Sequence, residues 1–320
     1  MLENSKLKKN YIMNTILTLS SFIFPLITFP YVSRILLPEG TGRVSFATSV
    51  VSYFLMLSQL GIPTYGIRAC AKVRDDRRKL SRVVHELMAI NLVMSLLSYL
   101  ALGIFVFAIP RLRAESSLIF IISLTILLNA VGMEWLYKAL EQYTYITIRS
   151  VIFKAIAVVA MLLLIRQQSD YVVYGALTIL AASASNVCNF VHAHTYIDLF
   201  PEEKYNYRQH MKPILVFFAM SCATVIYTNL DTVMLGLMKN NVDVGYYNAA
   251  VKIKGILVGI VTSLGTVMLP RLSYYVERGE MEEFQRLTKK AMNFVILLAT
   301  PMMIFFILFA REGIFFLSGS

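Results

Sequence analysis

Charge is scarce in this sequence. Asp, Glu, Lys and Arg make up 15% of its 320 residues, where soluble domains carry about 25%. Hydrophobic residues make up 57% and the mean hydropathy is +0.64. So few charges could not cover the apolar surface of a soluble fold of this size, which leaves lipid as the solvent. Cysteine is scarce too. Cys70, Cys188 and Cys222 are scattered and form no CxxC, so neither a disulfide framework nor a zinc pattern is present. There is no Gly-rich phosphate loop, no Ser-His-Asp set and no paired-carboxylate motif. His192 and His194 stand two apart, a spacing that separates their rings on a helix. These absences remove every positive sign of an enzyme or a metal site, and no residue is assigned a catalytic or metal-binding role. The net charge of +11 is spread in pieces too short for a nucleic-acid-binding domain.

What is abundant is long apolar runs, each of the length that carries a helix across a bilayer. They are Tyr11–Val32, Val44–Ile67, Leu87–Ile109, Leu118–Tyr137, Ile148–Ile165, Tyr171–His192, Ile214–Met238, Val244–Leu269 and Ala291–Ala310. The first run is too long for a signal peptide, and more runs follow it. None shows the two-residue alternation of a barrel strand, and backbone groups in lipid must bond within their own segment. The expected fold is an all-α polytopic transmembrane bundle of about nine helices.

Orientation follows from Lys and Arg, which accumulate on the cytoplasmic side. With the N-terminus inside, 20 fall in inner segments and 7 in outer ones, while Lys154, Lys252 and Lys254 lie within runs. The gaps at 68–86, 193–213 and 270–290 are the longest and leave no room for a soluble catalytic domain. The most polar stretch, around Pro201, divides the chain into a six-helix lobe at 1–197, a cytoplasmic linker at 198–213 and a three-helix part at 214–320.

Charges inside spans are costly and mark candidate functional sites. Glu134, Lys138 and Glu141 follow i, i+4, i+7 spacing and would share one helix face, as a cavity stripe or as an interfacial ion pair beside Trp135 and Tyr137. Asp231, in an otherwise apolar run, reads as a lone buried carboxylate able to carry a proton or to hold another helix. Lys252 and Lys254 point about 200° apart on a helix, so at most one can face a given cavity. Lys154 and Arg149 share one broad side, where a cation could hold an anionic headgroup or snorkel to the inner surface. There is also an internal echo. Leu36–Ala47, opening the second run, and Met238–Ala249, opening the eighth, each place a short polar turn before a Gly, as a parallel six-span repeat would.

Several segments go further. Pro30-Tyr31-Val32-Ser33-Arg34-Ile35-Leu36 followed by Pro38-Glu39-Gly40-Thr41-Gly42 resembles the first-hairpin motif of bacterial polysaccharide flippases. Leu60–Arg68 with the loop Lys72–Ser81, Glu134–Tyr143, Arg149-Ser150, Asn229-Leu230-Asp231 and Val244–Ala250 resemble later motifs of that family, in its order and over essentially the whole chain. The resemblance is to the oligosaccharide flippases of the multidrug/oligosaccharidyl-lipid/polysaccharide exporter superfamily. It implies two six-helix lobes around a cavity, here with the second lobe incomplete. It also implies the flipping of undecaprenyl-diphosphate-linked oligosaccharide repeat units across the bacterial cytoplasmic membrane by alternating access, for capsule, O-antigen or other surface polysaccharide. Under it, Arg34, Arg149, Lys154 and one of Lys252 and Lys254 would contact the diphosphate, for which Arg is a fork and Lys a point charge. Glu134 or Asp231 would take part in coupling to a proton or sodium ion. No other cofactor is implied. Implied partners are the lipid-linked oligosaccharide, membrane lipids, a polysaccharide polymerase and glycosyltransferases. A drug or cation antiporter of the same superfamily would favour an acidic, aromatic cavity, against the intramembrane cations here. A membrane-embedded glycosyl- or acyltransferase would need clustered acids or a buried His at the membrane surface, and the short loops argue against it.

Overall fold

In lipid the chain has one way to satisfy its backbone over long apolar runs, and it takes that way almost throughout. The computed structural model describes residues 2–198 and 205–318; the side chains of 2–8, of 316–318 and of most positions between 256 and 277 lie outside that description. Among the described residues there is no strand. The helices are α1 (Leu2–Gln59), α2 (Ile62–Ala71), α3 (Arg77–Ala108), α4 (Pro110–Ala114), α5 (Ser116–Gly132), α6 (Glu134–Ala139), α7 (Tyr143–Leu164), α8 (Tyr171–Ile179), α9 (Asn186–His192), α10 (Arg208–Met238), α11 (Asn241–Glu277), α12 (Met281–Leu308) and α13 (Ala310–Ser318). Each of the nine predicted runs falls on one of these helices or on a consecutive pair. Six stretches of the described residues meet both the length and the hydropathy of a membrane crossing; one of them, Lys9–Ala71, holds the first two runs, while Ser116–Gly132 is apolar but shorter. The residues 199–204 of the expected 198–213 linker lie outside the described residues, and α10 opens at Arg208.

The side chains are arranged inside out. On α3 the stripe Leu96, Leu100, Ile104 and Phe107 is exposed, and so is Ile148, Ile152, Ile156, Val159 and Leu163 on α7. These are i, i+3, i+4 faces with nothing polar on them, as a lipid-facing helix requires. The opposite face of α3 buries small polar groups at mid-helix. Ser95 Oγ meets Ser58 Oγ at 2.7 Å and also donates to the Asn91 carbonyl, and Asn91 Nδ2 reaches the Ala130 carbonyl at 3.4 Å. Small residues let helices approach, and hydrogen bonds replace the hydrophobic drive that lipid does not supply.

Two apolar cores result. One, around Leu36, Phe46, Leu102, Ile119 and Val244, lies toward the end of the bundle where α1 turns. The other, around Ile62, Leu87, Trp135, Tyr137 and Ile146, lies at the opposite end, rich in Lys and Arg. The α1 turn is made at Leu37, with φ 57 and ψ 177, immediately before Pro38. A residue before proline is driven out of the α region, and here the chain reverses. The two echoing turns of the sequence pack against each other at that end. A Cβ added at Gly42 would overlap the Asn241 carbonyl oxygen, and one at Gly245 would overlap that of Pro38. Glycine is required at both positions because backbone meets backbone.

Two local breaks shape the opposite end. Met133, with φ 40, separates α5 from α6 and makes Glu134 the first residue of a new short helix. Glu141, with φ 57, follows the end of α6. The expected stripe Glu134–Lys138–Glu141 is therefore corrected: Glu134 and Lys138 pair at 2.8 Å, while Glu141 leaves the helix and binds Arg74 at 2.9 Å.

Candidate substrate cavity

A cavity of about 690 Å³ opens among α1, α6, α7, α8 and α11. Its charged lining is Glu134, Lys138, Lys154 and Lys252, three ammonium groups against one carboxylate. Hydroxyl and amide groups share the wall, Asn14, Thr18 and Ser21 from α1 and Ser150 and Thr178 from the facing helices. A π-helical turn at Leu180–Ala184 contributes Ala181 and Ala182; such turns occur often at functional sites.

The structure places the sequence-derived candidates differently from one another. Lys154 donates to Ser20 Oγ at 2.8 Å and Ser21 Oγ at 2.9 Å, which uses two of its three donors and fixes the ammonium on the cavity wall. Lys252 lies over the Phe29 ring, 4.3 Å from its centroid, a cation–π contact that steadies the charge in an apolar setting. Lys254 is exposed and outside the lining. Glu134 is within the lining. Arg149 is buried behind it, with Nη1 donating to the Ser185 carbonyl at 2.7 Å and Nη2 4.0 Å from Glu134 Oε2. It is not in the cavity lining. Arg34 is exposed on α1 near the Leu37 turn and is not in the lining. Asp231, expected to be buried, is corrected to exposed, and it accepts a hydrogen bond from Tyr247 Oη on α11 at 2.6 Å, which fits the alternative that it holds another helix. Lys138, read from the sequence as part of a stripe with Glu134, shares the cavity lining with it.

The end of the bundle at Leu37 is tied shut by a polar network. Arg111 donates to the Gly236 carbonyl at 2.9 Å and to Asn241 Oδ1 at 2.6 Å. Asn241 Nδ2 donates to Glu115 Oε1 at 3.0 Å. Arg43 pairs with Glu39 at 2.7 Å and with Glu115 at 3.6 Å, and its guanidinium stacks on Tyr171. This network joins the α10–α11 turn to α1, α4 and the residue between α4 and α5.

Apolar faces turned outward, polar groups turned inward and a cation-lined cavity between helices define a polytopic helical membrane protein. A family model described as "Polysaccharide biosynthesis protein" matches residues 7–276, and the chain belongs to that family, as the motif resemblance implied. Two curated relatives are each named "Putative O-antigen transporter". One, from Escherichia coli (strain K12), is 22% identical over 270 residues, covering 83% of this chain and 65% of its own length. The other, from Shigella dysenteriae, is 26% identical over 279 residues, covering 83% of this chain and 67% of its own length. The chain thus spans about two thirds of the length of these relatives. No solved structure matches it.

Proposed function

We propose that the chain takes part in flipping a lipid-diphosphate-linked oligosaccharide across the bacterial cytoplasmic membrane, with its N-terminus in the cytoplasm. The single observation that carries this reading is the cavity with Lys138, Lys154 and Lys252 facing one carboxylate. An anion is what such a cavity takes. The diphosphate of an undecaprenyl-linked repeat unit would sit among the three ammonium groups, each contact worth about 1.5–3 kcal/mol as a charge-assisted hydrogen bond. The sugar would meet Asn14, Thr18, Ser21, Ser150 and Thr178, and the prenyl chain would remain in lipid. Glu134 offsets part of the positive charge and is the carboxylate best placed for ion coupling; Asp231, held by Tyr247, is the other. The relatives' names favour O-antigen as the polymer supplied, with glycosyltransferases building the substrate and a polymerase consuming it.

Translocation needs two lobes that rock about a site near the midplane. Residues 1–197 would form one lobe and 214–320 part of the second. The Arg111–Asn241–Glu115 network would hold the outer end closed while the cavity loads from the cytoplasmic side. Reconstituted protein given a labelled undecaprenyl-diphosphate oligosaccharide tests this. Lys138→Gln, Lys154→Gln and Lys252→Gln should each slow translocation about tenfold or more, from the loss of one charged contact. Unchanged rates in all three would overturn the proposal.

A further inference from the structure

A second cavity, of about 770 Å³, lies at the Lys- and Arg-rich end of the bundle, in the seam between α2, α3 and α10. It shares no lining residue with the first. The geometry points to this cavity as a binding site for the phosphate headgroup of an anionic phospholipid from the adjoining leaflet.

Its charge is one-sided. Arg68, Lys72 and Arg82 line it, and its described lining holds no carboxylate. Several cations close by are matched: Arg74 by Glu141 at 2.9 Å, Arg77 by Asp198 at 2.8 Å, Lys79 by Asp76 at 3.0 Å and, within the lining, Arg82 by Glu86 at 3.8 Å. Arg68 and Lys72 have no acidic partner among the described residues. Arg68 is held in place instead by the Phe217 ring, 5.1 Å from the centroid. Glu86, whose partners Arg82, Gln209 and His210 line the cavity, is itself fully buried. His210 Nε2 lies 2.6 Å from it, Gln209 Nε2 donates to it at 2.9 Å, and Arg82 Nε stands 3.8 Å away. His210 is fixed in turn by Tyr65 Oη at 2.8 Å. These bonds make a rigid floor under the cations, joining α2 and α3 to the start of α10.

The walls favour a lipid over a soluble anion. Ala69, Val73, Val83, Pro213 and Phe217 are apolar, and the neighbouring face of α10 exposes Met211, Leu215 and Val216. A headgroup phosphate between Arg68 and Lys72 would leave its acyl chains along that face. Cations near an anionic membrane surface attract such lipids individually by roughly a factor of five; two of them in one preformed cavity give a preference of about 25-fold over a zwitterionic lipid.

Trp135, the only tryptophan, supplies the readout. Its ring packs against Gly66 on α2, two positions before Arg68. The whole chain in neutral detergent is titrated with phosphatidylglycerol or phosphatidylcholine, each carrying a nitroxide quencher high on one acyl chain. Phosphatidylglycerol is expected to quench Trp135 at about 25-fold lower concentration than phosphatidylcholine. R68Q/K72Q is expected to erase the difference and the charge-conserving R68K/K72R to keep it. K252Q, in the other cavity, is expected to leave it in place, so that failure here is distinct from failure of the transport reading. Equal quenching of the unmodified chain by the two lipids would overturn the assignment, as would an unaltered preference in R68Q/K72Q. Full displacement of phosphatidylglycerol by millimolar inorganic phosphate would overturn the lipid as occupant. Should R68Q/K72Q fail to fold, the two-lipid comparison and the phosphate competition on the unmodified chain decide alone.

Discussion

Asn241 Nδ2 donates to Glu115 Oε1 at 3.0 Å, and both side chains are buried. The same amide accepts from Arg111 through its oxygen at 2.6 Å. One neutral side chain therefore sits between a carboxylate and a guanidinium and satisfies both, closing one end of the bundle. Replacing it takes one partner each from the buried Glu115, which keeps Arg43 at 3.6 Å, and from the half-buried Arg111, which keeps the Gly236 carbonyl at 2.9 Å. Asn241→Ala should destabilise the chain by about 1–3 kcal/mol, the usual cost of an unsatisfied buried polar group. Thermal unfolding in detergent measures this. An unchanged midpoint would mean the network is replaceable by solvent.

The glycines beneath that network make a sharper contrast. At Gly42 and Gly245 an added methyl would overlap a carbonyl oxygen of the facing segment, and backbone atoms cannot swing aside. Gly42→Ala and Gly245→Ala should each cost about 1–3 kcal/mol by overpacking. Gly103, on α3, has nothing within 4 Å of the added Cβ. Gly103→Ala should be neutral or stabilise by about 0.5–1 kcal/mol through helix propensity. The three midpoints, measured side by side, separate close packing from propensity.

Much of the architecture could be read in advance because lipid enforces it. Backbone that must bond within itself shows up as uninterrupted apolar runs, and all nine fall on helices. The 200° separation of Lys252 and Lys254 is likewise a property of any helix, and the structure places Lys252 in the cavity lining and Lys254 outside it. The breaks were not legible. Met133 and Glu141 take positive φ without being glycine, so Glu141 left its predicted stripe, while Glu134 and Lys138 line the cavity as the stripe reading had it. The partners of Asp231 and Glu86 were also hidden. Tyr247 is 16 positions from Asp231, and His210 is 124 from Glu86; such pairings exist only once the helices have met.

Acid should loosen the start of α3. Asp76 caps that helix, accepting from the backbone N–H of Arg78 at 3.1 Å and of Lys79 at 3.2 Å. Its hydrogen bond and ion pair with the Lys79 ammonium, reinforced by these backbone bonds, hold its carboxyl below the usual range. A depressed carboxylate stabilises the fold at pH values above its unfolded pKa and loses that contribution as pH falls through its folded one. Amide exchange at Arg78 and Lys79, referenced to free peptide, should therefore show protection lost on acidification. In Asp76→Ala it should be low at every pH. A pH-independent protection in the unmodified chain would remove Asp76 as its source.

Lys252 and Lys254 test the cavity itself, because they differ in little except direction. Both are lysines on α11, two residues apart, and both lie within the same apolar run. Lys252 lines the cavity and stands over Phe29, whereas Lys254 is exposed outside it. Removing an ammonium that contacts a bound diphosphate sacrifices about 1.5–3 kcal/mol, roughly ten- to a hundredfold in rate or affinity. Removing one that meets water or lipid headgroups changes little, about 0–1 kcal/mol. Lys252→Gln should thus depress oligosaccharide translocation at least about tenfold, while Lys254→Gln stays within about fivefold. Phe29→Leu should produce a smaller loss than Lys252→Gln, since it removes only a cation–π contact of about 0.5–2 kcal/mol. Equal losses at Lys252 and Lys254 would show that α11 contributes net charge to the membrane rather than a directed ligand, and the diphosphate would then have to be held elsewhere.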